Sequence, residues 1–552
     1  MFAALKYTLI LLLAQAYAIP IQESFQEQLT LRPHRDGTVL GHFAFTTVLK
    51  GATPRLPQDQ NNEDYAQHYT LFPLALGQVL REYAVTELHL SLNAGKWNYE
   101  NWGYPEEDGV GTGAELWAWM SEGPISTVDE RWRGLRSNLA GLFCASLSSM
   151  DEQRTTSPSL TFRPEGDLPG TPSQYQLRHG ALPSENVCTE NLTPFLKLLP
   201  CKSRSGIASL LNPHRLFDAD WHGLGVHVRY LEDVGIEVRL SFQAVFNPVR
   251  HAADKRRDWS LRTIFDRVID KACPVARRSE IRLVSPAEDS IDLTPDPSSR
   301  GAAFVSYNVN DASEPLDIAM RWPAESHFEY PILPNPSPLT QISVQRTLKG
   351  TEQSQGQLSV AIVNHLDSSI KASYLETMPW LLQFHLHSIR AKWNGETRDD
   401  LISIVSYTPP VPHARPTLLQ AVLELPPNGT MHLTIDVTKP FLRYTEHPPD
   451  AQRGWDLPPA VFIPLVPLNE SVRAASADNT IRPAARRFRR IYTPVLLVDL
   501  ATPDFSMPYN VIIMTCTLIA LIFGSIFNLL TRKTIVVAVP GTGAVDLPEN
   551  AQ

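Results

Sequence analysis

Cysteine is scarce, five in 552 residues, which excludes a disulfide-dense scaffold. A basic excess is missing as well. Lys and Arg number 49 against 58 Asp and Glu, a net charge of −9, so no broad positive surface exists to hold a nucleic-acid backbone. Familiar catalytic signatures are absent: no G-x-S-x-G elbow, no H-E-x-x-H zinc motif and no P-loop. The run Gly109-Val110-Gly111-Thr112-Gly113 lacks the spacing of a dinucleotide fingerprint and reads as a glycine-rich loop. No repeat recurs at a fixed period, and no low-complexity block interrupts the chain. Wholesale disorder is excluded too, because 43% hydrophobic and 19% charged residues supply enough apolar surface for real cores.

Proline is what the chain has in plenty. Its 46 prolines, about 8% against a usual ~5%, imply many short strands and ordered loops, since proline fits neither helix interiors nor central strands. The length gives a prior of roughly three to four domains. The two ends sharpen it. Residues 1–18 read as a signal peptide, with Lys6, the apolar run Tyr7–Ala14 and small residues at Ala16 and Ala18. Val511–Leu530 carries no charge and is long enough at ~1.5 Å per residue to cross a ~30 Å hydrocarbon core. Arg532 and Lys533 follow at once, whereas no Lys or Arg lies between Ile491 and Asn510. The positive-inside rule therefore puts the tail 532–552 in the cytosol and the bulk of the chain in the lumen or outside the cell. The polar tail also argues against a cleaved lipid-anchor signal, which ends in its hydrophobic stretch.

The expected architecture is mainly β: an α+β N-terminal lumenal unit (19–330), an antiparallel β-sandwich (331–505), then one transmembrane helix with its lumenal approach (506–531). Strands are expected on either side of Arg35-Asp36-Gly37, over Val85–Leu92 with Leu88, Leu90 and Leu92 on one face, over Ile236–Phe246, and over Ser359–Val363, Ile370–Thr377, Leu401–Tyr407, Leu418–Leu425 and Met431–Val437. Helices are expected over Pro73–Tyr83, over Val128–Ser149 with a Thr127/Glu130 capping box, and near Leu261–Lys271. The proline-rich stretch Pro331–Pro338 separates the two lumenal units.

Several side chains are candidates for chemistry. His222-Gly223 has the look of a caspase-like dyad histidine, but none of Cys144, Cys188, Cys201 and Cys273 has the flanking residues of its nucleophile. Cys144 borders the apolar stripe of its helix and is expected to be a buried thiol. The four lumenal cysteines allow three internal pairings; Cys516 lies in the membrane segment. His385 and His387 would share one face of a strand, where a sheet-face pair is the stronger expectation than a metal site. Arg486-Arg487-Phe488-Arg489-Arg490 is a solvated basic cluster or a cradle for a phosphate or anionic head group. Trp97, Trp102, Trp117, Trp119 and Trp132 form either a core knot or, at Trp102, an exposed anchor. N-glycosylation acceptors stand at Asn191, Asn428 and Asn469.

Seven longer motifs carry a resemblance. Leu88-His-Leu-Ser-Leu92, Trp97-Asn-Tyr-Glu-Asn-Trp-Gly-Tyr-Pro105, Gly113-Ala-Glu-Leu-Trp-Ala-Trp119, Asp129-Glu-Arg-Trp-Arg-Gly-Leu135, Cys188-Thr-Glu-Asn-Leu-Thr-Pro194, Glu376-Thr-Met-Pro-Trp380 and Thr502-Pro-Asp-Phe-Ser-Met-Pro-Tyr-Asn510 are together similar to the PIG-T family. The resemblance runs from near residue 30 through the membrane segment. It implies a non-catalytic subunit of the GPI transamidase of the endoplasmic reticulum membrane, single-pass type I, which cleaves a C-terminal signal from a proprotein and joins the new carboxyl end to the ethanolamine amine of a GPI lipid. It implies further that the nucleophilic cysteine sits on another, caspase-like subunit of the PIG-K type, to which this chain is joined by a disulfide. Cys188 is the cysteine the resemblance assigns to that bond, with Cys201 second. Asp504, Met507, Pro508 and Asn510, where the chain enters the bilayer, would lie beside the GPI lipid or the substrate. No cofactor and no metal is expected. An independent lumenal cysteine hydrolase and a β-sandwich cell-surface receptor stay open as other classes.

Overall fold

A computed structural model describes residues 22–59, 69–284, 291–443, 446, 454–465, 489–500 and 506–533, apart from 302, 312–314, 331–337, 351 and 353. The signal-peptide reading, nearly all of the proline-rich join, Asn469, Arg486 to Phe488, Asp504 and the far tail fall outside the described residues. The chain divides into two compact units, Met1–Pro440 with Gly454–Asp499 and Phe441–Arg453 with Leu500–Gln552.

In the larger unit an eleven-stranded sheet runs in the order Ser299–Arg300, Phe304–Asn308, Ala276–Val284, Glu23–Pro33, Val39–Lys50, Gly235–Phe246, Trp221–Leu231, Val85–Ala94, Gly113–Ser121, Tyr175–Leu182 and Thr155–Thr156. Among the described residues, only Glu23–Pro33 and Ala276–Val284 pair in parallel. Alternation along each strand decides what the two faces carry. Leu88, Leu90, Leu92, Leu116, Val226 and Leu240 point to one side, under the helices Leu74–Glu82, Val128–Phe143 and Thr189–Leu198. Their odd-numbered neighbours, Glu87, His89, Ser91, Glu115, Trp117, His227 and Arg239, are left for the other side.

The later strands form two antiparallel sheets. One has Ile342–Lys349, Gln355–Asn364, Gly429–Thr438, Arg390–Trp393 and Glu396–Thr397 along its path, with Gln383–Phe384 paired to its third strand. The other has Ile402–Thr408, Thr417–Leu425, Ile370–Met378, Val461–Pro464 and Ile491–Tyr492. Arg346 of the first and Glu376 of the second meet at 3.4 Å with both side chains 0% exposed, so the two sheets enclose a common interior as a sandwich does.

The capping box of Val128–Phe143 forms as expected, but the helix stops six residues short of Ser149. Cys144 adopts the left-handed conformation at φ 52° and ends it. That turn leaves Cys144 exposed, which corrects the buried-thiol expectation. Near Leu261 the helix is a single turn, Leu261–Phe265, ended the same way by Asp266 at φ 56°. His385 and His387 do not share a strand face: His387 lies within a 3-10 turn, Leu386–Ser388, that His385 caps, and His385 Nε2 pairs with Thr438 Oγ1 at 2.7 Å. The tryptophan group is core. Trp97, Trp117 and Trp132 are 2% exposed, and Trp102 packs edge-on to Trp97 and donates its Nε1–H to Asp36 at 2.9 Å. Gly113 has a positional reason to be glycine: at φ 86° it opens its strand so close to Leu182 that a Cβ would stand 2.2 Å from the carbonyl oxygen.

The smaller unit contains the helix Ser506–Thr531. Its stretch Tyr509–Thr531 has a mean hydropathy of 2.2, long and apolar enough to cross a bilayer.

Candidate functional site

The ionisable face of the large sheet holds a cross-strand ladder. Registered neighbours run His179, Trp117, His89, His227, Arg239 and Thr46 across six adjacent strands. His89 stacks on Trp117 with ring centroids 3.8 Å apart. Its Nε2 meets Glu87 Oε1 at 3.0 Å and its Nδ1 meets His227 Nδ1 at 2.9 Å. A carboxylate only accepts, so His89 donates from Nε2 to Glu87, and the two imidazoles share one hydrogen between their Nδ1 atoms. Burial lowers the His227 pKa to about 3, against the opposing pull of Glu107. The ring is therefore neutral, and its Nε2 makes no hydrogen bond, with Glu107 Oε2 3.9 Å away. Burial acts to raise Glu107, but Arg239 at 2.8 Å and His42 outweigh it and hold the carboxyl well below the ordinary range.

Two residues from the far end of the unit close this face. Arg490 reaches Glu165 at 2.7 Å and lies over the rings of Trp117 at 5.1 Å and Phe162 at 5.4 Å. Burial opposes its charge, yet Tyr492, Glu165, Asp108 and Glu115 raise its pKa above the ordinary arginine value. Tyr492 donates its hydroxyl to Glu115 at 2.7 Å, whose other oxygen takes His179 Nε2 at 3.0 Å. One cavity at the ladder, about 20 Å³ between His89, Glu107, Trp117 and Arg490, fits a single water, and another of about 40 Å³ is lined by Glu115, His179, Arg154 and Trp455. The basic-cluster expectation is thus corrected at its last member: Arg490 is a buried clamp, spent on protein carboxylates and rings. Arg489 lies over Tyr104 at 5.1 Å.

Cys188 is the N-cap residue of Thr189–Leu198, partly exposed and unpaired. Cys201 is bonded to Cys273, 72 positions further along the sequence, with Cα atoms 6.0 Å apart. This overturns Cys201 as the second choice for a bond to another chain, because its sulfur is already used. The His222 Nε2 has no hydrogen-bond partner, so no cysteine thiol is bonded there. Its ring packs on Phe217 and Phe242, and burial lowers its pKa to about 4 against a hydrogen bond with the Val187 backbone.

The family model for the Gpi16 subunit, GPI transamidase component, matches residues 8–257 and 246–546. This chain belongs to that family. It is 33% identical to the human GPI-anchor transamidase component PIGT over 99% of this chain and 97% of that one. The GPI transamidase component PIG-T homolog of Schizosaccharomyces pombe is 32% identical over 84% and 83%, and GPI16 of Saccharomyces cerevisiae 28% identical over 93% and 89%. A solved Vibrio harveyi β-N-acetylglucosaminidase aligns with 30% of the chain and 19% of its own, at 12% identity and a TM-score of 0.15, too low for any argument.

In this Gpi16-family chain the residues expected at the membrane entry fall as follows. Asp504 lies outside the described residues, Met507 and Pro508 are in the first turn of Ser506–Thr531, and Asn510 is exposed on that helix. Asn428 is exposed on the turn that crosses from Thr417–Leu425 in one sheet to Gly429–Thr438 in the other, its Nδ2 donating to Asp367 at 2.7 Å. Asn191 is 1% exposed, so the fold does not present it to solvent. Among the described residues no group of three or more His, Cys, Asp or Glu is arranged to hold a metal ion. Sequence reading missed the ladder and its closure. Alternation in Leu88–Leu92 did signal a second face with His89 and Ser91 on it, but nothing signalled that Tyr492 would land there.

Proposed function

We propose that the chain is the non-catalytic, scaffolding subunit of the GPI transamidase in the endoplasmic reticulum membrane. Similarity to named transamidase components along essentially its whole length carries this reading. The orientation we assign is single-pass type I, with residues 19–505 in the lumen and the tail 532–552 in the cytosol, from the basic pair after the apolar helix. Scaffolding is a matter of effective concentration. A soluble thiol protease and two lipid-anchored substrates meet slowly unless a large lumenal body with its own membrane helix holds them together. The ladder fits this reading, since its ionisable residues are spent on one another: Glu87 on His89, Glu107 on Arg239, Glu165 on Arg490, and Glu115 on His179 and Tyr492.

Cys188 is the residue we assign to the disulfide with the caspase-like catalytic subunit. It is unpaired and partly exposed, while the alternative, Cys201, is consumed within the chain. The two thiols would give up two protons and two electrons by exchange with a disulfide-bearing oxidant of the lumen. A Cys188→Ser chain run on a non-reducing gel should lose the heavy cross-linked species; persistence of that species would reject the assignment. We also place Asp504, Met507, Pro508 and Asn510 beside the GPI lipid or the cleavage region of the proprotein. Met507→Ala and Asn510→Ala chains that assemble should process anchored reporters more slowly. Full-rate processing would reject the placement.

A further inference from the structure

Asn191 is the third residue of Thr189–Leu198, just past Cys188. Its Oδ1 accepts from the Cys188 N–H at 2.7 Å. Its Nδ2 donates to the Phe143 carbonyl at 2.8 Å and to the Cys144 carbonyl at 3.1 Å. Those carbonyls belong to the end of Val128–Phe143, where the intrahelical ladder offers no donor. Both hydrogens of the amide and its oxygen are therefore in use, in a side chain almost free of solvent. A sugar on Nδ2 would displace one of these donors and has no solvent to extend into. The opposite end of the same helix is tied by the Cys201–Cys273 bond, and the residue before Cys188 is held by the His222 ring.

We propose that Asn191 positions Cys188 for its bond to the partner subunit and carries no glycan, although it heads an N-x-T acceptor. The inference rests on the reading of Cys188 given above. A disulfide tolerates Cα separations of only about 4.4–6.8 Å and a narrow torsion, so a thiol on an untethered N-cap loses bonding geometry with small backbone shifts. Asn191 ties that backbone to a sixteen-residue helix.

Full-length chains expressed with their natural partners give the test. Thr193→Val destroys the acceptor and keeps the amide; it should leave gel mobility and the cross-linked species unchanged, before and after glycosidase treatment. Asn191→Ala should reduce the cross-linked fraction about tenfold while the Cys201–Cys273 bond still forms and the partners still co-purify under non-covalent conditions. Asn191→Asp keeps the acceptor for Cys188 and loses the donors; it should fall between the two, and it serves if the alanine chain does not accumulate. A one-glycan mobility shift in Thr193→Val, or full cross-linking in Asn191→Ala and Asn191→Asp, overturns the proposal. Cys188→Ser separates the two claims. If it abolishes the species while Asn191→Ala does not, only the positioning role fails; if the species survives Cys188→Ser, the underlying assignment fails.

Discussion

Replacing Arg490 with methionine keeps much of the side-chain volume and removes the charge that closes the ladder. Glu165, whose side chain is 23% exposed, then loses its partner at 2.7 Å, and Trp117 and Phe162 lose the cation over their faces. Breaking a fully buried pair costs about 3–5 kcal/mol; partial hydration of Glu165 moves this to the lower end. Cation–ring contacts in a desolvated site add up to about 2 kcal/mol. The sum is about 3–5 kcal/mol, a fall in thermal midpoint of about 3–5 °C for the full-length chain in detergent. Arg490→Lys should lose roughly half as much, because an ammonium keeps the charge but not the planar stacking. In the double variant Arg490→Met, Glu165→Met the second change should cost much less than it does alone. An Arg490→Met chain that unfolds at the wild-type temperature would refute the clamp and return Arg490 to the solvated cluster.

Burial lowers His34 and His227 to about 3 and His222 to about 4, so the unfolded chain takes up protons below its own value of about 6.5 while the fold does not. Stability should be full above pH 6.5 and fall as pH drops from 6.5 toward 4, on the order of 2 kcal/mol for each ring at pH 5; midpoints measured across that range check it, and a flat profile would contradict it. Within the sandwich, Arg346→Met or Glu376→Leu should each cost about 3–5 kcal/mol by stranding a buried charge, and the double variant less than either single one. Additive losses in the same thermal assay would show that the two do not interact. Replacing Cys201 and Cys273 by serine should cost about 4 kcal/mol from the reopened 72-residue loop, read as a lowered midpoint that reducing agent no longer shifts.

Strand patterns were legible because period-two alternation is local: Leu88, Leu90 and Leu92 declare their face within five residues. The capping box at Thr127 and Glu130 was legible for the same reason. The helix Thr189–Leu198 was not read, because Pro194 inside it argues for a loop. The site's residues could be seen singly but not together. His89 and His227 are 138 residues apart, and Glu115 and Tyr492 are 377 apart, so only the sheet order joins them. Charge is visible in a sequence and burial is not, which is why Arg490 read as a solvent or phosphate residue. Cysteine pairing is open for the same reason: Cys201 and Cys273 meet through topology.

The most direct test of the central claim is purification of the full-length chain from membranes in a mild detergent, with transamidation of a signal-bearing substrate followed through every fraction. A caspase-like thiol subunit should co-purify, activity should follow the assembled complex, and this chain freed of its partners should have none. A separated chain that cleaves the signal sequence by itself would contradict it.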